Sequence, residues 1–217
     1  MFVINCKNYE EISGDKMAGF LKIVHRVAKK YKVKIAVAPP QHLLGVAAKS
    51  PVLILAQHAD CHMPGSTTGF VVPELLKKSG VAGSLINHSE HRIPGLEIKK
   101  TVLRLRKLKM ISIVCVKNVA EAKKYARLGP DYIAIEPPEL IGSGKAVSRH
   151  RPDLITKAAA AVNPGNKTRL LCGAGITSGE DVASAVRLGS RGILVASGIV
   201  KSGNWEKAIS EFASSMV

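Results

Sequence analysis

Aromatic residues are scarce, 4% of a 217-residue chain. Single-stranded nucleic acid is held by stacking bases on aromatic rings, so that class of binder has little to build on here. Acids are few as well: 16 Asp and Glu against 32 Lys and Arg, a formal charge of +16. No apolar run approaches the ~20 residues that cross a bilayer. The opening MFVINCKNYEE lacks a basic region, a long apolar core and a small-residue cleavage site, so no signal peptide is expected. Cysteine is limited to Cys6, Cys61, Cys115 and Cys172, with no CxxC pair. Three of them lie in apolar runs, which points to buried free thiols in a reducing cytoplasm. No Pro/Ser-rich linker or low-complexity tract interrupts the chain, so one domain over residues 1–217 is expected.

What remains is a globular composition, 46% hydrophobic, with a basic surface. Such a balance suits nucleic acid or the steering of small anions. Scarce aromatics favour the small anions. Apolar, β-branched runs recur at residues 2–6, 33–38, 52–57, 84–87, 111–116, 132–136, 168–172 and 192–196. They are hydrophobic almost throughout rather than alternating, as parallel strands covered on both faces are. Helical patterns lie between them at 16–31, 97–110, 119–128, 181–188 and 205–212. Two of these end at Gly129 and Gly189, where a left-handed C-cap is expected. Eight βα units without a linker predict a (β/α)8 barrel, with two doubly wound halves as the other arrangement.

In a (β/α)8 barrel the chemistry gathers at the carboxyl ends of the strands. Asn5 and Lys7 stand at the first such end, two apart and so on one side of an extended chain. The third ends at Gln57 and His58. The fourth, LINHSEHR, presents His88, then Glu90 and Arg92, with a short helix expected to start there. The sixth ends at Glu136, followed by two prolines and the loop Ile141-Gly142-Ser143-Gly144. The last two ends, LCGAGITSG and LVASGIV, supply small residues and free backbone N–H groups. With the Ile141 loop they would form an anion nest for a phosphate. A carboxylate, an imidazole and an ammonium around a phosphorylated small molecule suit proton abstraction beside a carbonyl.

Asn5-Cys6-Lys7, NHSEHR at 87–92, IEPPELIGSG at 135–144, LCGAGITSGEDV at 171–182 and GILVASGIV at 192–200 together resemble the triosephosphate isomerase family. The resemblance runs from the first strand to the last, in the family's order. The short chain and its PPEL segment are similar to the archaeal branch, whose barrels have trimmed outer helices. The resemblance implies a glycolytic and gluconeogenic enzyme that interconverts dihydroxyacetone phosphate and D-glyceraldehyde 3-phosphate through an enediolate. It implies Glu136 as the proton-shuttling base and His88 as a neutral electrophile, favoured by the helix expected after it. It implies Lys7 as the enediolate's cation, with Asn5 helping to position that oxygen site. Ile141, Gly142, Gly175, Ala196 and Ser197 would meet the substrate, mostly through phosphate, and Glu90 would sit beside Lys7. The family's loop into a partner subunit is similar to residues 64–69, with Thr68 approaching the partner's Lys7. A cytoplasmic homodimer is therefore expected, without metal or organic cofactor. Two features depart from the family: Ala196-Ser197 replaces a Gly-Gly pair, and the lid at 137–146 has no tryptophan.

Other readings remain. A non-catalytic sugar-phosphate-binding barrel would be expected to lack Glu136, His88 or Lys7, and this chain has all three. A nucleic-acid patch could use the cations of residues 97–110, although a solvated outer face is the favoured explanation of them. Like-charge repulsion between such faces favours a dimer over a tetramer. His58, Cys61 and His62 invite a metal, but no fourth ligand is evident.

Overall fold

The computed structural model describes residues 1–140, 146–162 and 167–217. Eight parallel strands follow in order: β1 (Phe2–Asn5), β2 (Ile35–Ala38), β3 (Leu53–Ala56), β4 (Gly83–Ile86), β5 (Ile111–Val116), β6 (Tyr132–Ile135), β7 (Arg169–Cys172) and β8 (Ile193–Val195). Each pairs with the next, and β8 pairs with β1 with Ile4 opposite Val195. That closure excludes the doubly wound alternative. All eight expected strands are present, with ends within two residues of those read from the sequence.

The near-continuous hydrophobicity has a simple cause. Residues two apart share a face, and both faces of these strands are covered. Val3, Ala36, Leu55, Leu85, Ile113, Ala134, Leu171 and Leu194 fill the barrel interior as one cluster. Their neighbours, including Ile4, Val37, Ile54, Ile86, Val114 and Ile133, form a second cluster against the helices.

The outer layer consists of α1 (Lys16–Tyr31), α2 (Leu44–Ala47), α3 (Pro73–Lys78), α4 (Gly95–Lys107), α5 (Val119–Ala126), α6 (Val147–His150), α7 (Pro152–Val162), α8 (Gly179–Arg187), α9 (Ser197–Val200) and α10 (Trp205–Ser214). Beside the 16 residues of α1, the four of α2 and six of α3 are the trimmed helices expected. Gly129 (φ +65°) and Gly189 (φ +103°) follow α5 and α8 in the left-handed region, a conformation that costs glycine little. No helix among the described residues is long and apolar enough to cross a membrane.

The basic stretch forms α4, and two of its cations, Arg104 and Arg106, have work inside the fold. Arg104 grips the Glu74 carboxylate from α3 at 3.1 and 2.5 Å. Arg106 donates to the Leu128 and Gly129 carbonyls, and Lys77 Nζ donates to Leu108 O at 2.8 Å. These pairings join α4 to its neighbours and weaken the case for a nucleic-acid patch.

Candidate active site

The two-residue alternation that fills the barrel also aims the site. One step beyond the interior layer, Asn5 follows Val3, Gln57 follows Leu55, Glu136 follows Ala134, Gly173 follows Leu171 and Ala196 follows Leu194. Here the interior changes from apolar to polar. A cavity of about 180 Å³ opens at this level, lined by Asn5, Lys7, Tyr9, His88, Glu136, Gly173, Gly175, Ala196 and Ser197 among others. Seven of the expected site residues therefore meet at one place. A larger cleft of about 660 Å³ adjoins it through Asn5, Lys7, Tyr9 and His88 and is also lined by Glu90. Thr68 stands exposed on its loop and lines neither space. Ile141 and Gly142 lie outside the described residues.

Lys7 has a left-handed backbone, φ +46°. For a lysine this conformation costs on the order of 1–3 kcal/mol and persists only when its surroundings enforce it. Its N–H donates to Asn5 Oδ1 at 3.0 Å, and Gln57 Nε2 donates to its carbonyl at 2.8 Å and to Ala38 O at 3.2 Å. The ammonium ends on Glu90 Oε1 at 2.6 Å. Asn5 thus braces the turn that presents Lys7. Gln57 shares that task; the sequence marks it only as a polar strand end.

Glu136 is 4% exposed, and its Oε2 has no hydrogen-bond partner among the described residues. A buried carboxylate oxygen without a partner is costly in a resting structure. An oxygen without a partner among the described residues is placed for chemistry with a bound molecule rather than for holding the fold. Gly173 makes room for it: a Cβ there would lie 2.6 Å from Glu136 Cγ and 3.2 Å from Cδ and Oε1. Beneath it, burial pushes the Cys115 thiol well above its usual range, with the Glu136 carboxylate adding to the effect. Cys6 and Cys172 are pushed up to about 12 by burial, so all three strand thiols stay protonated core groups.

His88 Nε2 faces Glu136 Oε1 at 3.5 Å. Its Nδ1 accepts the Glu90 N–H at 3.2 Å. A neutral imidazole has one donor and one acceptor, so this bond leaves the proton on Nε2, toward the cavity. Burial pulls the His88 pKa down, but the hydrogen bond and charge of Glu136, helped by Glu90, outweigh it and raise the net value above the ordinary 6.5. The two cues conflict. The rise comes from Glu136 lying against the imidazole. Nδ1 can accept the Glu90 N–H only while it carries no proton, so this bond decides for the neutral form.

The expected short helix after His88 is absent. His91 N donates to His88 O at 2.8 Å in a turn, and α4 begins only at Gly95. The side chains around it explain why. Asn87 Oδ1 takes the Ile93 N–H at 3.2 Å, Asn87 Nδ2 donates to Cys115 O at 2.9 Å, and Arg92 donates to Asn87 O at 3.2 Å. Backbone groups that a helix would use are thereby engaged elsewhere. The neutral histidine thus rests on one backbone N–H, not on a helix terminus.

Opposite the carboxylate, the cavity wall is backbone-rich: Gly175 (φ +65°), Ile176 and Thr177 after β7, and Ala196, Ser197 and Gly198 around the start of α9. The first N–H groups of a helix have no intrahelical acceptor and suit an anion. His58 is engaged elsewhere, stacked on His91 at 4.1 Å and bonded to Asp60 at 3.1 Å, and His62 packs on Phe70. Among the described residues no group of three or more His, Cys, Asp and Glu could hold a metal ion. A buried carboxylate, an imidazole N–H, an ammonium and an anion-receptive wall can remove a proton beside the carbonyl of a small anion and stabilise the resulting oxyanion.

Comparison with known proteins agrees with this geometry. The sequence model of the family described as "TIM: Triosephosphate isomerase" matches residues 1–212. The triosephosphate isomerase of Cenarchaeum symbiosum is 56% identical over 216 residues, covering 100% of this chain and 97% of that protein. Those of Methanothermus fervidus and Methanocaldococcus jannaschii are 43% and 42% identical, covering 100% and 97% of this chain and 98% and 97% of theirs. The crystal structure of triosephosphate isomerase from Bartonella henselae shares the fold with a TM-score of 0.70 at 20% identity, covering 99% of this chain and 96% of that one.

Proposed function

The chain belongs to the triosephosphate isomerase family, and we propose that Glu136, His88, Lys7 and Asn5 carry its reaction within one catalytic domain spanning residues 1–217. The protein interconverts dihydroxyacetone phosphate and D-glyceraldehyde 3-phosphate, a glycolytic step. In the proposed path the Glu136 carboxylate removes a proton from C1 of dihydroxyacetone phosphate. The C–H electrons form the C1–C2 double bond, and the carbonyl electrons move onto the C2 oxygen. Lys7 and the His88 Nε2–H stabilise that enediolate oxygen. His88 donates its Nε2 proton to the C2 oxygen and takes one from the C1 oxygen. Glu136 then returns its proton to C2, giving the aldehyde. No electrons leave the system, and each proton has a carrier. Backbone N–H groups at Gly175, Ala196 and Ser197 would hold the phosphate, together with Ile141 and Gly142.

The observation that carries this assignment is the buried Glu136 carboxylate, whose Oε1 lies 3.5 Å from His88 Nε2 and whose Oε2 has no hydrogen-bond partner among the described residues, beside a cavity that Lys7 also lines. Shortening Glu136 to Asp withdraws the base by about 1 Å, a misplacement that costs on the order of 10²-fold. Steady-state assays on glyceraldehyde 3-phosphate test this, and near-native turnover by Glu136→Asp contradicts the role. A non-catalytic sugar-phosphate-binding barrel is not favoured, because curated full-length relatives are named as the enzyme.

We further propose a cytoplasmic homodimer joined through residues 64–69, with Thr68 meeting the partner's Lys7. Met63 and Phe70, 63% and 47% exposed, flank that loop, and the 660 Å³ cleft beside Lys7 offers space for it. A tetramer through α4 would bring exposed Lys99, Lys100 and Lys107 against their copies. Sedimentation of a tetramer at moderate salt contradicts the dimer.

A further inference from the structure

We propose that Asp181, clamped by Arg149, is the positioning residue for the phosphate end of the site. This rests on the reading that Gly175 meets the substrate phosphate. The loop between β7 and α8 lines the cavity through Gly173, Gly175, Ile176 and Thr177. Its backbone must be held in place before a ligand arrives if its N–H groups are to bind an anion well. Asp181, 1% exposed in the first turn of α8, supplies the hold.

One oxygen, Asp181 Oδ2, accepts four hydrogen bonds: from the N–H and hydroxyl of Thr177, both at 3.1 Å, and from the N–H and hydroxyl of Ser178 at 3.0 and 2.9 Å. The other, Oδ1, takes Arg149 Nε at 2.6 Å. A capping box needs only two reciprocal bonds. The rest fix Thr177, a residue of the cavity wall, and tie the loop to α6. That helix reaches the loop a second time, because Val147 N donates to Ala174 O at 3.3 Å, one residue before Gly175. Arg149 Nη2 also reaches Glu180 at 2.9 Å and Ser178 Oγ at 3.4 Å.

The pairing has an electrostatic consequence as well. A bare carboxylate beside an anion-binding wall would repel a phosphate. The Arg149 guanidinium neutralises it while leaving its acceptor capacity for the loop. Burial alone would raise the Asp181 pKa, but the Thr177 N–H, the Ser178 hydroxyl and Arg149 outweigh it and hold the carboxyl below its usual range. The hold is therefore present at neutral pH.

The test is calorimetric titration of inorganic phosphate into the native protein, Asp181→Asn and Arg149→Met, beside steady-state kinetics. Losing charge-assisted bonds of this kind should weaken phosphate binding on the order of tenfold. KM for glyceraldehyde 3-phosphate should rise in parallel, while turnover of phosphate-free glyceraldehyde stays unchanged. Arg149→Lys should recover part of the loss. Lower thermal stability with unchanged phosphate affinity and KM would make Asp181 a helix cap only and overturn the proposal. So would a fall in kcat alone. Should Asp181→Asn fail to fold, the half-exposed Arg149 variant carries the same measurements. If the native protein binds phosphate but turns over no triose phosphate, the isomerase assignment falls. The phosphate affinities of the variants then still decide for or against Asp181.

Discussion

Replacing Gly173 with alanine adds one methyl group and should disable the base while leaving the barrel intact. The new Cβ would stand 2.6 Å from Glu136 Cγ, whereas ordinary contact begins at 3.4 Å. The carboxylate stem must therefore retreat by about 0.8 Å, the difference of those two distances. Gly173 is outside the left-handed region, so alanine fits the backbone and the effect is confined to the contact. A misplacement near 1 Å costs on the order of 10²-fold, about 2.7 kcal/mol of transition-state stabilisation. The assay is steady-state isomerisation of glyceraldehyde 3-phosphate, with inhibition by inorganic phosphate measured in parallel. kcat/KM should fall about a hundredfold, with phosphate inhibition within about twofold of native. Turnover within about threefold of native would refute the claim that Gly173 sets where the base sits.

The His88 pKa, raised by Glu136, has a sign that NMR titration can read. The pairing stabilises the fold fully below the ordinary histidine value and fades as pH rises through the raised one. In Glu136→Gln burial is less opposed, so the His88 midpoint should fall; an unmoved midpoint contradicts the pairing. Because the reaction uses neutral His88, kcat/KM of the native enzyme should decline as pH drops through that raised midpoint, and a flat profile there would contradict the role. Removing metal is expected to do nothing: dialysis against EDTA should leave turnover unchanged, and its loss would show a metal dependence that these residues do not account for.

The sequence was most legible where chemistry and periodicity coincide. A run such as YIAIE shows that residues 132–135 form a covered strand with Glu136 at its carboxyl end, and the barrel's two-residue alternation then turns Glu136 inward above Ala134. The same alternation places Asn5 behind Val3. His88 and Lys7 are recognisable because they stand just past other strand ends. What stayed hidden depends on partners distant along the chain. Gln57 is an ordinary amide until it meets the Lys7 carbonyl, 50 residues away. Asp181 looks like a helix-start acid until Arg149, 32 residues earlier, reaches its other oxygen. The helix expected after His88 failed for a related reason. Asn87 and Arg92 take the backbone groups a helix would need, and local propensity does not register that competition.

The most direct test of the central claim compares the native protein with Glu136→Gln in the interconversion of dihydroxyacetone phosphate and glyceraldehyde 3-phosphate, with circular dichroism as the check on folding. The amide keeps the shape of the side chain and removes its ability to take a proton. The native chain should equilibrate the two sugars without added cofactor, and a folded Glu136→Gln should lose nearly all of that rate. Glu136→Gln turning over at the native rate would contradict the account.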